Sequence, residues 1–195
     1  MNSRIIAIFT LALLAAAAPA GASSLEGTVK TPSGRGAGDA VVYLGEIPGK
    51  TFPPPSAHQV VDQKEMVFTP HVLVVLVGTT VDFLNADPLL HNVFSPDKCA
   101  EKFNLGSWPQ GQVRSYTFKQ PCAATLLCNV HPEMEAFVVA VPTPYFAVTA
   151  EDGGYTIAEV PDGAYTVKVW HPKLKETSRQ VTVAGATTAD FELKK

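Results

Sequence analysis

Basic residues are too few and too scattered in this chain to make a nucleic-acid surface: 15 Lys and Arg stand against 18 Asp and Glu, a formal charge of −3, with no basic stripe. No block of like charge marks a disordered tail. No glycine-rich loop opens a helix, and no serine sits in a nucleophile elbow, so phosphate-transfer and hydrolase chemistry find no support. The acidic pair Glu151 and Asp152 occupies a hairpin turn, where solvated carboxylates are ordinary. Helix-period apolar segments are scarce, and short strands punctuated by turns replace them, which predicts an all-β chain. Beyond the N-terminal segment, no hydrophobic stretch is long enough to cross a membrane.

What the N-terminus does contain is Arg4, an apolar run from Ile5 to Ala18, and the small residues Ala20-Gly21-Ala22, the pattern of a secretory signal peptide over residues 1–22. Cleavage after Ala22 leaves 173 residues (195 minus 22) and, with one Arg removed, a formal charge of −4. The expectation is an exported, periplasmic protein without a membrane span after cleavage.

The most informative stretch is Cys128-Asn129-Val130-His131-Pro132-Glu133-Met134, which places a thiolate, an imidazole and a thioether in seven residues. Upstream, Asn85-Ala86-Asp87-Pro88-Leu89-Leu90-His91-Asn92-Val93-Phe94 follows a strand-like run and offers a second imidazole. Two His, one Cys and a weak axial Met are the donors of a type 1 copper centre. Sulfur donors favour Cu(I), whereas imidazole accepts both oxidation states, so a rigid mixed site exchanges one electron with little rearrangement. A zinc site built from His91, Cys128 and His131 is the chemical alternative, and it leaves Met134 idle. His58, His71 and His171 lack a Cys or Met at ligand spacing and read as surface or locally bonded histidines.

Cys-x-x-His-Pro-x-Met together with His-Asn-Val resembles the copper-site pattern of the cupredoxin family, in its amicyanin and plastocyanin-like form. The similarity extends through Met66-Val67-Phe68-Thr69-Pro70 and Gly78-Thr79-Thr80-Val81-Asp82-Phe83-Leu84-Asn85 and covers roughly residues 58–142. It implies a Greek-key β-sandwich holding one copper ion. His91, Cys128 and His131 would be the equatorial ligands, Met134 the axial one, and Asn92 a residue tying the two ligand loops together. Glu133 departs from the pattern by setting a carboxylate beside the loop. The resemblance also implies that electrons leave at the exposed edge of His131, through an apolar rim of Pro88, Leu89, Leu90 and Pro132. The partner would be a c-type cytochrome or a periplasmic dehydrogenase.

With Cys128 taken as a ligand, Cys99 and Cys122 remain as a pair in an oxidising compartment. Cys122 lies six residues before Cys128, ~20 Å along an extended strand, and so belongs at the end of the sandwich away from the metal. The alternative is two free structural thiols.

Outside residues 58–142, Leu25-Glu26-Gly27-Thr28-Val29 and Ala40-Val41-Val42-Tyr43-Leu44 read as strands. So do Tyr145 to Thr149, Gly154 to Ile157, Ala164 to Trp170 and Arg179 to Val183. These segments resemble the carboxypeptidase regulatory-like, transthyretin-like β-sandwich. The resemblance implies a second, smaller sandwich (residues 23–57 and 143–195) split by a copper domain at 58–142. Phe52-Pro53-Pro54-Pro55 would be the entry linker and Pro142-Thr143-Pro144 the exit. Serial order, with residues 24–48 as the first strands of the cupredoxin, is the competing arrangement. Residues 59–61 are expected as an edge strand, and Trp108 in a turn-rich connection.

The leading expectation is a non-enzymatic electron carrier that uses one copper ion. Two further readings stand beside it: copper binding or delivery without redox turnover, and a β-sandwich interaction module with a structural metal.

Overall fold

The computed structural model describes residues 23–195, so the expected signal peptide lies outside the described residues. Strands β1 (Ser23–Lys30) and β2 (Val41–Leu44) come first. A middle group follows: β3 (Gln59–Lys64), β4 (Val67–Thr69), β5 (Val72–Leu76), β6 (Thr80–Leu84), β7 (His91–Phe94), β8 (Asn104–Trp108), β9 (Val113–Thr117), β10 (Cys122–Leu127) and β11 (Glu135–Val141). The chain closes with β12 (Phe146–Val148), β13 (Gly154–Val160), β14 (Gly163–His171), β15 (Leu174–Val183), β16 (Ala186–Thr188) and β17 (Phe191–Glu192). The single helical element among the described residues is a 3-10 turn at Lys98–Ala100.

The middle strands form two facing sheets, β4-β3-β6-β9 and β5-β11-β10-β7-β8. Their inner faces share a core that includes Phe68, Phe83, Trp108, Phe118, Leu126 and Met134. The outer strands form the other two sheets, β12-β2-β14-β15 and β13-β1-β16, with β17 also paired to β1. Their core gathers Leu25, Val29, Leu44, Ile157, Val167 and Leu193, from both ends of the described chain. Strand β1 is antiparallel to β13 and parallel to β16 and β17, while β2 lies between β12 and β14.

The apolar runs of β5 and β11 have a direct physical reason. These strands pair in parallel, and each is covered on both faces, the condition under which strands lose their polar alternation. Ala136, Val138 and Ala140 of β11 face the middle core, whereas Phe137, Val139 and Val141 join Val72, Val74 and Val41 in a separate cluster against Tyr43, Phe146 and Trp170. Phe137 and Trp170 have ring centroids 5.3 Å apart. The strand that leaves the Cys128–Met134 loop is therefore wedged between the two groups of sheets.

Residues 59–61 pair with β6 alone, as the edge expectation has it, and β4 covers only Asp62–Lys64, after the chain reverses at Glu65 and Met66, both with positive φ (56° and 59°). One expectation needs correction. Trp108 ends strand β8 rather than sitting in a turn, is fully buried, and pairs in register with His91.

Candidate metal centre

Strand β7 begins at His91 and β10 ends one residue before Cys128. The two strands are paired, Leu127 opposite Phe94. In this antiparallel register the last residues of the two strands face each other, so His91 at the start of β7 and Cys128 just past β10 both lie at the same end of the sandwich. A short loop then carries the chain past His131 to Met134, whose backbone N–H donates to the His131 carbonyl at 3.0 Å. The imidazole nitrogens of His91 and His131 and the sulfur of Cys128 all lie within 4.8 Å of one another. The two rings face each other through their Nδ1 atoms, 3.0 Å apart. His91, Cys128 and Met134 are buried, while His131 is half-buried.

Three polar side chains hold this arrangement. Asn92 Nδ2 donates to Asn104 Oδ1 and the Gly106 carbonyl, its Oδ1 accepts the Asn129 N–H at 3.2 Å, and its own backbone N–H points at Cys128 Sγ at 3.5 Å. Asn92 thus bridges the two loops. Asn85 pins the loop leading into His91: its Nδ2 donates to the carbonyls of Leu89 and Trp108, and its Oδ1 accepts the Asp87 N–H. Asp87 accepts from His91 Nε2 at 2.8 Å and from the backbone N–H groups of Glu65 and Met66. Burial alone raises the Asp87 carboxyl, but the Met66 N–H, the His91 ring and the Glu65 N–H together hold it below the usual carboxylate range.

This geometry fits a metal ion. A carboxylate can only accept, so Nε2 of His91 carries the proton and Nδ1 presents its lone pair toward His131 and Cys128. A first-row ion bound at roughly 2.0–2.3 Å spaces its donors a few ångströms apart, as these are spaced. Neither Asp87 nor Asn85 stands out as a functional residue in the sequence. The one local signal is an Asn-x-Asp pair ahead of a candidate ligand histidine.

The other residues that the sequence singles out fall elsewhere. Cys99 and Cys122 form a disulfide, which leaves Cys128 as the free thiol. Cys122 opens β10, at the end opposite Cys128. Glu133 is exposed and does not belong to the group of metal-capable donors at His91, Cys128 and His131. His58 bonds Asp82, His71 bonds Asp39, and His171 accepts from the Lys173 N–H. Among the described residues none of these three joins a group of metal-capable donors.

Residues 131–194 match the family model of the carboxypeptidase regulatory-like domain. Among solved structures, a reduced-state amicyanin mutant is 25% identical, with a TM-score of 0.41, over 51% of this chain and 97% of that one. A novel purple cupredoxin from Nitrosopumilus maritimus is 22% identical, with a TM-score of 0.39, over 42% of this chain and 98% of that one. A Cu-containing nitrite reductase from Thermus scotoductus SA-01 is 24% identical, with a TM-score of 0.43, over 51% of this chain. This chain spans 25% of the length of that reductase. The regulatory-like resemblance read in the sequence recurs in the family match. A search of curated proteins finds no match.

Among the described residues no helix is long and apolar enough to cross a membrane.

Proposed function

We propose that the chain is a periplasmic type 1 copper protein that passes single electrons between redox partners, and that His91, Cys128, His131 and Met134 would hold the ion. The observation that carries this reading is the pair of Nδ1 atoms facing each other at 3.0 Å beside a buried Cys sulfur. A bound copper ion supplies the Cu(I)/Cu(II) couple. The protein's part is to keep the donors still. Asn92 restrains the Cys128 loop, Asp87 orients the His91 ring, and the surrounding apolar core keeps water from the buried donors. The donors that would hold the ion, His91, Cys128, His131 and Met134, are all side chains, and the proposal is of a carrier and not an enzyme. The half-exposed edge of His131 is the point of entry and exit for electrons, and a c-type cytochrome or a periplasmic dehydrogenase is the class of partner.

The test is the absorption and electron paramagnetic resonance spectrum of the Cu(II)-loaded mature protein. An intense visible thiolate-to-copper band is expected. A colourless protein that yields copper readily to chelators would put the delivery reading in its place.

Asp87 provides a second test. Exchanging Asp87 for Asn keeps the shape but removes the charge that holds the His91 tautomer and strengthens the ring as a donor. Such partners of metal ligands are typically worth about 10–100-fold in metal affinity. Asp87→Asn should lower copper affinity by that order in chelator competition. It should also raise the reduction potential, because removing a nearby negative charge favours the less charged Cu(I).

We further propose that residues 23–57 and 143–195 make one sandwich into which residues 58–142 are inserted. What supports this is the pairing of β1 with β13, β16 and β17.

A further inference from the structure

Six of the chain's 15 Lys and Arg, namely Lys30, Arg35, Lys173, Lys175, Lys194 and Lys195, are spread along the sequence but meet at one end of the outer sheets. Lys175 and Lys194 are partners in an antiparallel bridge, with the Lys175 N–H donating to the Lys194 carbonyl at 2.8 Å, so their side chains stand side by side on one face. Lys30 is the in-register partner of Glu192, and Glu192 shares its face with Lys194 two residues on, while Val29, Phe191 and Leu193 at the alternate positions are buried. Lys30 also bridges Gly36, the neighbour of Arg35, and Lys173 sits in the turn that leads into Lys175. All six are exposed.

Among the described residues none of the six forms an ion pair with a carboxylate. Glu192 is the acid set directly among them. The others nearby are engaged: Asp190 accepts from the Thr28 N–H and hydroxyl, and Glu176 accepts from the Tyr43 hydroxyl and lies 4.0 Å from Lys168. A chain of formal charge −3 thus gathers a strongly basic end that its sequence does not show as a stripe.

Two features select the ligand. Five of the six cations are lysines, point charges on flexible stems that lack the planar fork with which arginine grips one phosphate, so the face suits a spread layer of negative charge. Among the described residues no large exposed apolar side chain belongs to residues 30–36 or 171–195, so the face has no apolar centre of the kind that anchors a protein partner. We propose that this end of the outer sheets binds the anionic phospholipid headgroups of a membrane surface, reversibly and without insertion. Each cation held near such a surface strengthens binding by about fivefold, and the attraction reaches about 8 Å at 0.15 M salt. The contact uses none of His91, Cys128, His131 and Met134, so it is independent of the metal. It concentrates the protein at the membrane without burying any of it there.

The experiment is co-sedimentation of the full mature chain with vesicles of phosphatidylglycerol mixed with phosphatidylcholine, against vesicles of phosphatidylcholine alone. Binding is expected to the mixed vesicles only, strong at low salt and at least about tenfold weaker at 0.15 M. The triple variant Lys173→Gln, Lys175→Gln, Lys194→Gln should lose about 100-fold, fivefold for each cation. A second triple variant, Lys98→Gln, Lys102→Gln, Lys119→Gln, changes the net charge equally but at the disulfide end of the middle sheets, where Lys119 pairs with Glu101, and should bind as the unsubstituted protein does. Equal binding to both kinds of vesicle, indifference to salt, or equal losses in the two variants would each overturn the proposal. So would retention by an acidic protein with none by the mixed vesicles. Copper-free protein should bind as the loaded protein does, and vesicle binding that required the metal would overturn the proposal too. A protein without the visible copper band that still binds the mixed vesicles overturns the copper reading and keeps this one.

Discussion

Cys128→Ser should remove the visible charge-transfer band of the Cu(II)-loaded protein entirely, because the band arises from thiolate-to-copper bonding and a hydroxyl at the same place is a poor ligand for Cu(I) or Cu(II). The substitution is close to isosteric, and Cys128 accepts a long contact from the Asn92 N–H that a serine oxygen can also accept, so the fold should persist. The disulfide between Cys99 and Cys122 does not involve this residue and should remain. Met134→Leu separates the roles further. It should keep a coloured site and raise the potential, since the axial thioether tunes the couple without forming the strong bond. Loss of His91 or His131 should open a position that added imidazole can fill. An unchanged copper spectrum after Cys128→Ser would defeat the type 1 assignment and bring the delivery and structural-metal readings forward.

Residues 58–142 produced alone should fold and bind copper, because the core around Phe68, Phe83, Trp108 and Leu126 lies entirely within that span. The fragment should nonetheless be markedly less soluble than the whole chain. Removing the outer strands uncovers Val72, Val74, Phe137, Val139 and Val141, now packed against Tyr43, Phe146 and Trp170. Burying such a side chain contributes roughly 1.5–3 kcal/mol, so several of them laid bare on one sheet face make a strong site for self-association. A longer fragment, residues 24–142, should behave worse. It keeps β1 and β2 while discarding all of their strand partners, and unpaired strands invite aggregation. Light scattering and copper loading of the two fragments side by side give the answer. A folded, copper-binding 24–142 beside an unfolded 58–142 would establish serial order instead.

The Cys128–Met134 loop is legible in the sequence because its donors are close in the chain, and seven residues cannot hold a thiolate, an imidazole and a thioether without bringing them near one another. His91 is legible from residue type and its strand context, although 36 residues or more separate it from the other donors. Asp87 and Asn85 are not. A carboxylate four residues before a histidine is common in loops, and nothing local shows that Glu65 and Met66 will supply the backbone donors that make this one special. The same turn hides β4: nothing local shows that the reversal at Glu65 and Met66 lays Val67–Thr69 beside Asp62–Lys64.

By itself the sequence determined the local and compositional facts: an all-β chain, the donor types of the candidate centre, the pairing open to the two non-ligand cysteines, and strand segments at both ends that neither end can complete alone. These follow from periodicity, turn chemistry and ligand softness, which act over a few residues. Only the tertiary structure decided that β5 and β11 are covered on both faces and that Asp87 reaches His91. Those relations depend on strand register and packing, which local sequence does not encode.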